Sequence, residues 1–516
     1  MANSARPAHG ARSRFCVIVA GAVVFGPLAP APAAAQAQST VSHQVDEWYR
    51  RAQRTAPGDW GIAIADQAGH TLWQRRADEP FIPASTVKLF TTGFARTVLG
   101  SDARRDTRVL GVGRLDPATG EWLGSWALEV NGDPSLGRRD GRGASLNDLA
   151  QQLAVAGIQR ISGPLRLIQH DGSEAHAWWP ETWAMRHRGR IFAPLVGPLT
   201  YHENVVHFTV RPGARSGQRP VLAAVSPAGL DRLVRIEART VQGRRSRLAL
   251  RQDKKGGWVV TGTIGSRARS RGFTATTYDP RAVLEASWAH ALAGAFIDWD
   301  RDAGPVAPVL APADALVLAR VSSPPLDSIL SDVNRRSHNL GAELLLQWAG
   351  GSEKAADRLV AHVREVAGPH HAVHLVDGSG LSAEDRVAPA TFIAYLANVG
   401  NAAGADFPYL LPTNGTGTLR KLARGLPERG VVRAKTGTLA NVSSIVGYLG
   451  HSEGVLLVSV FYNGSRPGAA RSEQWRLFRV LGADGIQVPE AFTAPVTELG
   501  GQDPVATPPD SVPSGL

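Results

Sequence analysis

A serine and a lysine stand three places apart in the stretch STVK. On a helix, side chains at this spacing share a face, so Ser85 and Lys88 can contact one another. A serine hydroxyl becomes a strong nucleophile when a base takes its proton, and a lysine serves as that base only when its pKa falls. Burial and a nearby second cation both lower a lysine pKa. The pair predicts a nucleophile and its base at a helix start, although S-x-x-K is frequent by chance and a serine helix cap is the simpler interpretation.

Two further stretches carry polar groups at suggestive spacing. Ser337 and Asn339 lie at a predicted break between helices, where Asn339 would hold a substrate amide and Ser337 would relay a proton. A plain helix cap is the alternative. In RAKTGTL, a strand would turn Lys435 and Gly437 to the same side, and the bare glycine would let a ligand backbone approach closely. An extended peptide would then pair with this edge as an added strand, whereas a glycine turn with an exposed lysine is the alternative.

Together, the order S-x-x-K, S-x-N and K-T-G resembles the active-site signature of penicillin-recognising serine enzymes. Ser337 follows Ser85 by about 250 residues, a longer gap than beta-lactamases have. This gap resembles that of the low-molecular-mass penicillin-binding proteins acting as D-alanyl-D-alanine carboxypeptidases and endopeptidases, which have domains inserted between the first two motifs. The stretches NGDPSL (131–136), VDGSGLS (376–382) and GTGTL (415–419) are similar to that family as well.

The resemblance implies a peptidase that cleaves peptidoglycan stem peptides ending in D-Ala-D-Ala, or their cross-links, through an acyl-enzyme. The implied catalytic residues are Ser85, Lys88, Ser337 and Asn339, and the implied substrate-binding residues are Lys435, Thr436, Gly437 and Thr438. The backbone N–H groups of Ser85 and Thr438 would form the oxyanion hole. His338 stands where the family often has an acidic residue, which leaves the pH dependence open. Beta-lactams would be covalent inhibitors, and neither a cofactor nor a metal is implied.

Two other functions stay open at this point. A beta-lactamase or related serine esterase would share the acylation step but would deacylate rapidly. A non-catalytic wall-binding protein would use the inserted domains instead, although the intact Ser85, Lys88 and Lys435 argue against it. Persistent labelling by a penicillin distinguishes the peptidase from the lactamase.

The predicted fold class is α+β, with a beta-lactamase/transpeptidase-like domain whose antiparallel sheet is flanked by helices. The predicted division is 1–37 signal peptide, 38–104 and 306–490 catalytic domain, 105–305 inserted mostly-β or α+β domains, and 491–516 disordered tail. The segments GVVRAKTG, SSIVGYLG and GVLLVSVFYN predict an antiparallel meander, and a final helix near 474–481 would pack on it. The tail is too rich in proline, glycine and serine to fold.

The chain begins with features of export. Three arginines precede an apolar stretch at 15–28, and small residues follow, which predicts cleavage after Ala35 or Ala37 and an exported, periplasmic protein without a stable membrane anchor. The only cysteine, Cys16, lies in this segment, which excludes thiol catalysis and cysteine–zinc sites in the mature chain. The net charge of +11 fits an anionic wall polymer or membrane surface, with scattered solvating charge as the simpler account.

Other polar clusters predict little chemistry. His202, Glu203 and His207 have a spacing that does not suit a helical zinc motif, and the histidines at 370, 371 and 374 indicate a solvated turn. The arginine-rich stretch at 244–255 lacks interleaved aromatic residues, so no nucleic-acid partner is predicted. The sequence carries no signal for an oligomeric state.

Overall fold

The structure, a computed structural model, describes residues 33–253, 256–303, 314–351 and 353–492. The predicted signal peptide up to residue 32 and the predicted tail from residue 493 lie outside this part of the chain. Phe492, which was predicted to belong to the tail, is buried against Tyr448, and its backbone N–H donates to the carbonyl of Ala405. No helix in the described part is both long and apolar enough to span a bilayer.

Helices and strands alternate along the described residues. The helices are α1 (Ala33–Thr55), α2 (Lys88–Leu99), α3 (Leu146–Val155), α4 (Pro280–Gly294), α5 (Leu326–Arg336), α6 (Asn339–Gly350), α7 (Ala355–Ala367), α8 (Pro389–Ala403) and α9 (Pro467–Leu481). The strands are β1 (Asp59–Ala65), β2 (Thr71–Arg75), β3 (Asp106–Asp116), β4 (Glu121–Glu129), β5 (Arg160–Ser162), β6 (Leu167–Ile168), β7 (Val205–Arg211), β8 (Val221–Ser226), β9 (Val234–Ile236), β10 (Arg239–Val241), β11 (Ser246–Gln252), β12 (Trp258–Gly265), β13 (Arg271–Thr276), β14 (Asp298–Asp300), β15 (Leu316–Ser322), β16 (Val373–His374), β17 (Arg386–Val387), β18 (Val432–Leu439), β19 (Val442–His451) and β20 (Gly454–Asn463).

One five-stranded sheet organises the two ends of the chain. Its order is β18-β19-β20-β1-β2 with every pairing antiparallel, so the predicted meander is confirmed. Alternate residues of its strands face opposite sides: Ile62 and Ile64 enter one hydrophobic core, whereas Ala63 and Ala65 enter another. Helices α1 and α9 cover the first side and α2 and α8 the second. This is the predicted antiparallel sheet flanked by helices.

The middle of the chain forms three further sheets around a separate core, one six-stranded with β6 beside β4, one four-stranded with β9 beside β12, and one three-stranded. Their orders are β14-β5-β4-β3-β15, β10-β12-β11 and β13-β7-β8, and the buried indoles of Trp126, Trp258 and Trp288 share this core. Strand β15 pairs with β3, and its Ala319 lies in the same core. This pairing favours an inserted region that continues to about Ser322, whereas the predicted boundary is at residue 305. The domain division itself stays a prediction.

The inserted region contacts the rest of the protein beside α6. Trp183, Ala193 and Val196 form a small apolar cluster with Leu340 and Leu344 of α6. This contact brings the segment around residues 183–196 next to the first turn of α6. The start of α6 is therefore held between the inserted region and α2.

A partly buried ion-pair network also joins the two regions at Glu203. Glu203 accepts hydrogen bonds from Arg336, at the end of α5, at 2.5 and 3.2 Å, and Arg138 approaches the same carboxylate. The Glu203 carboxylate therefore pairs with two arginines. His202 and His207 contact the Val205 carbonyl and the Thr274 hydroxyl respectively. Among the described residues, no three His, Cys, Asp or Glu side chains are grouped to hold a metal.

We expect Glu203→Gln to destabilise the protein at neutral pH. Burial by itself raises the pKa of Glu203, but Arg336, Arg138 and His338, which is protonated in the acidic range where Glu203 titrates, outweigh it and hold the pKa at about 2, below its ordinary value of 4.5. The ionised carboxylate therefore contributes stability that is fully present above about pH 4.5 and is lost as pH falls towards 2. The shift corresponds to about 3 kcal/mol in the free energy of unfolding.

Urea unfolding of wild type and variant at neutral and strongly acidic pH measures this loss. Glu237→Gln is the matched control, because Glu237 makes exposed ion pairs with Arg235 and Arg251 and should cost only about 0.5 kcal/mol. Equal losses for the two variants at neutral pH would contradict the role given to Glu203.

Candidate active site

Ser85 lies in a tight 3-10 turn that leads into α2. The turn spans Ala84–Val87, and α2 begins at Lys88, whereas a regular helix starting at Ser85 was predicted. No side chain caps either helix start, so the simpler interpretation of Ser85 as a helix cap is wrong. Ala84 adopts a left-handed backbone (φ 50°), an uncommon conformation for alanine that turns the chain just before the serine. Ser85 is half-buried and still accessible.

Lys88 is fully buried and points its ammonium group at the serine. Its Nζ lies 3.1 Å from Ser85 Oγ and 2.7 Å from Asn339 Oδ1, and it also donates to the carbonyl of Ser379. These three acceptors leave the amine one orientation, towards the hydroxyl that it would deprotonate. The sequence placed the two side chains on one helical face, and the structure brings them into contact.

Burial lowers the pKa of Lys88 to about 8, which agrees with the mechanism expected from the sequence. The expected help from a second cation is wrong, because the charges acting on Lys88 are the carboxylates of Asp377, Glu343 and Asp385, which raise the pKa. Desolvation outweighs all three. Lys88 therefore combines a proton affinity near neutrality with a position against the hydroxyl.

A buried loop at residues 376–382 supports Lys88. This loop was not assigned to the site from the sequence. The Asp377 carboxylate accepts backbone N–H groups of Ser379, Gly380 and Ser382, and Glu343 accepts that of Gly378. These bonds position the Ser379 carbonyl that holds Lys88. Gly380 has φ 73°, and a Cβ there would lie 1.9 Å from the Ala84 carbonyl, so only glycine fits. The signal was the DGSG sequence within VDGSGLS.

Glu343 and Asp385 lie buried close to Lys88 and favour their neutral forms. Burial and the neighbouring Asp377 raise the pKa of Glu343 to about 8. Burial and Asp377 also raise the pKa of Asp385 well above its ordinary value. Three carboxyl groups near one ammonium cannot all ionise in a dry site, because like charges repel strongly there. Titration of Lys88 is therefore coupled to this cluster.

Ser337 and Asn339 lie at the predicted break between two helices. Ser337 has a left-handed backbone (φ 56°) between α5 and α6, and its Oγ accepts a hydrogen bond of 2.8 Å from Lys435. Asn339 Nδ2 donates to the carbonyl of Phe192 in the inserted region, at 2.8 Å. Because Asn339 Oδ1 is held by Lys88, both ends of its amide contact protein groups. The predicted role of Asn339 in holding a substrate amide stays a prediction.

His338, between these two residues, is mostly buried, with 15% of its side chain exposed. Burial lowers its pKa to about 4, and its Nε2 lies 3.8 Å from the Glu203 carboxylate. The ring is therefore neutral at pH 7. We therefore expect the pH dependence to come from Lys88 and Glu343, whose pKa values are both about 8.

The K-T-G stretch forms the middle of the edge strand β18. Lys435 is fully buried, donates to Ser337 Oγ and to the Thr436 carbonyl, and has a pKa lowered well below its ordinary value by burial, Lys88 and Arg471. A Cβ on Gly437 would lie 2.5 Å from the Pro83 carbonyl and 3.0 Å from Ser85 N. Because Gly437 has no side chain, β18 packs closely against the turn at Ala84–Val87. The sequence had instead predicted that a ligand backbone approaches this glycine. Thr438 is exposed.

Arg471, in the first turns of α9, supports β18 and was not found from the sequence. Its guanidinium donates to the carbonyls of Gly437 and Ser444 and to Thr438 Oγ1, at 2.5, 2.9 and 3.1 Å. Burial lowers its pKa to about 10. No local pattern marks this residue, since its role depends on α9 packing beside β18.

Comparison with known proteins agrees with this arrangement. A model of the D-Ala-D-Ala carboxypeptidase 3 (S13) family matches residues 41–480. The chain belongs to this family of serine-type carboxypeptidases, as the motifs predicted.

Individual relatives match over most of their lengths. The chain is 28% identical over 465 residues to a D-alanyl-D-alanine carboxypeptidase of Actinomadura sp. (strain R39), covering 83% of this chain and 82% of the relative. It is 29% identical over 416 residues to a carboxypeptidase of Mycobacterium tuberculosis, covering 76% and 73%. The crystal structure of penicillin binding protein 4 from Haemophilus influenzae has a similar fold, with a TM-score of 0.65 at 19% identity, covering 85% and 99%.

Proposed function

We propose that this protein is an exported serine D-alanyl-D-alanine carboxypeptidase and endopeptidase that acts on peptidoglycan stem peptides and cross-links and is acylated by penicillins. The observation that carries the proposal is the contact of 3.1 Å between Lys88 Nζ and Ser85 Oγ, with the lysine buried and its pKa near 8. Family membership and the names of the relatives support the substrate class. The arginines and apolar stretch at the N-terminus support export.

In the proposed acylation, neutral Lys88 takes the proton of Ser85 while Oγ attacks the carbonyl carbon of the penultimate D-alanine. The negative charge that develops on the carbonyl oxygen would be stabilised by the backbone N–H groups of Ser85 and Thr438. The C–N bond then breaks, and the leaving amine takes a proton. Ser337 suits delivery of that proton, because its hydroxyl is bonded to Lys435. A water molecule, deprotonated in the same way, would release the acyl group from Ser85.

Substrate binding is proposed along β18. This strand pairs with β19 on one side, and the bridge between Thr413 and Arg433 covers only its beginning on the other. An extended stem peptide would add to the free edge from Lys435 to Thr438. Lys435 and Thr436 would then face the terminal carboxylate. When the bond that is cleaved belongs to a cross-link, the leaving group is larger than one D-alanine. The same edge would then have to accept a longer chain.

We expect the purified mature protein to remove one D-alanine from stem pentapeptides and to convert cross-linked dimers into monomers. Separating the digestion products of peptidoglycan by mass detects both, because the two activities yield different masses. A fluorescent penicillin should label the protein for many minutes, since slow deacylation distinguishes a peptidase from a beta-lactamase. Rapid penicillin turnover without release of D-alanine would contradict the proposal and favour the lactamase.

A further inference from the structure

Two adjoining clefts lie along the surface of α9. Their volumes are about 660 and 440 Å³, and they share Ser472 and Arg479. Both are lined mainly by cationic side chains. We name these two clefts together the α9 groove; its cationic side chains are Arg51, Arg420, Lys421, Arg424, Arg476 and Arg479.

The positive charge of the α9 groove is largely unbalanced. One carboxylate, Glu473, lines it and pairs with Arg51 at 3.3 Å and with Arg476 at 3.6 Å. The remaining cations, Arg420, Lys421, Arg424 and Arg479, form no ion pair with any described residue. Like charges gathered in a concave surface repel one another and focus a positive potential, which attracts anionic ligands.

The groove is connected to the proposed substrate strand through one pair of stacked side chains. The guanidinium of Arg471 lies 5.2 Å from the ring centroid of Trp475, which lines the larger cleft. The same guanidinium donates to Gly437 and Thr438 at the end of β18. Arg471 therefore links the wall of the groove directly to the Thr438 end of the proposed substrate strand.

The shape of the groove suits a polymer strand better than a bilayer. Binding to a membrane surface uses exposed apolar anchors on a convex or flat face. Here the surface is concave, its aromatic residue, Trp475, is half-buried beneath Arg471, and a single exposed apolar side chain among the described residues, Val480, lines it. Exposed cations that line a cleft are instead suited to bind a polymer that carries carboxylates at intervals along its length.

We propose that the α9 groove binds the carboxylate-bearing stem peptides that neighbour the cleaved one on the same peptidoglycan polymer. The inference rests on the proposed function, because it makes the polymer the preferred form of that substrate. Each bound carboxylate holds the polymer near β18, so that a further stem peptide enters the site without dissociation of the chain. A short soluble peptide, which has no neighbouring stems, gains nothing from the groove.

The test compares a groove variant with a matched control. The groove variant carries Arg420→Gln, Lys421→Gln and Arg424→Gln, three exposed side chains without ion pairs. The control carries Arg244→Gln, Arg245→Gln and Arg247→Gln, three exposed cations of the inserted region that likewise form no ion pair with described residues. Both lose the same net charge. Any difference in binding or activity between the two variants therefore depends on where the positive charges were removed.

At low salt, the groove variant should sediment with insoluble peptidoglycan about tenfold more weakly than wild type, since three exposed charge contacts of modest strength are lost. Its kcat/KM on polymeric peptidoglycan should fall to a similar extent, whereas kcat/KM on a soluble stem pentapeptide should be unchanged. Added salt should remove the difference in sedimentation, because it screens exposed charges. The control should behave as wild type in each assay.

Other outcomes overturn the inference. Equal sedimentation of groove variant and control, or an equal loss on pentapeptide and polymer, excludes a role of the groove in holding the polymer. Binding of wild type, but not of the groove variant, to phosphatidylglycerol–phosphatidylcholine vesicles with unchanged peptidoglycan binding assigns the groove to a membrane instead. Failure of wild type to release D-alanine would count against the proposed function alone, because sedimentation requires no catalysis.

Discussion

Lys88→Ala should slow acylation of Ser85 by a penicillin about 10³-fold, the usual contribution of a general base. Lys88 Nζ is held against Ser85 Oγ by Asn339 and Ser379, and no other described amine contacts that hydroxyl. Without Lys88, the proton of Ser85 has no acceptor of suitable pKa. Rapid-mixing measurements of penicillin labelling give the rate constant directly.

The pH dependence of the same reaction gives a second readout. A lysine acts as a base only when neutral, so the acylation rate of wild type should fall about tenfold for each pH unit below about 8, the pKa of Lys88. Because Glu343 has a pKa in the same range, the observed midpoint belongs to the coupled cluster. The residual rate of Lys88→Ala should lack this dependence.

Lys88→Met serves as the control for folding, because it fills the buried site without a charge. It should show the same loss of rate, with a thermal unfolding midpoint that establishes whether the site stays folded. Acylation of either variant at the wild-type rate would exclude Lys88 as the base. In that case, a group other than the buried lysine would have to take the proton of Ser85.

Ser85→Ala should abolish both covalent penicillin labelling and release of D-alanine. The alanine keeps the turn at Ala84–Val87, because the Ser85 side chain caps no helix and its one hydrogen bond is with Lys88. The effect is therefore on chemistry, with no comparable loss of stability. Mass spectrometry of the intact protein after incubation with penicillin shows the presence or absence of the adduct.

Ser328→Ala, at an exposed serine of α5, is the matched control and should label as wild type does. A penicillin adduct that persists in Ser85→Ala would place the nucleophile elsewhere. Ser337 would then be the first alternative, since its hydroxyl also contacts a buried lysine. Digestion of the labelled protein would identify the modified peptide.

The local parts of the site could be predicted from the sequence because short-range geometry determines them. The spacing of Ser85 and Lys88 corresponds to one helical turn, and the nearly continuous apolar run of β20 corresponds to a strand buried on both faces. The chain break around Ser337 was likewise visible as a polar interruption between two apolar helices. Each of these features depends on residues only a few positions apart.

Contacts between distant parts of the chain could not be predicted in the same way. Glu203 looked like part of a weak metal motif, yet its partner Arg336 is 133 residues away. Asn339 meets Phe192 across 147 residues. Arg471 reaches β18 only because α9 folds back along the sheet. Nothing in the sequence around any of these residues encodes the position of its partner.

The sequence by itself determined which reactive groups this protein carries, their order along the chain and the edge strand that presents Lys435. Only the tertiary structure decided the proton affinity of Lys88, since that depends on how completely α2, α6 and the loop at Gly378–Gly380 exclude water from it. The physical reason is that desolvation is a property of the whole enclosure. A sequence motif identifies the lysine, but the surrounding fold determines the free energy of charging its amine.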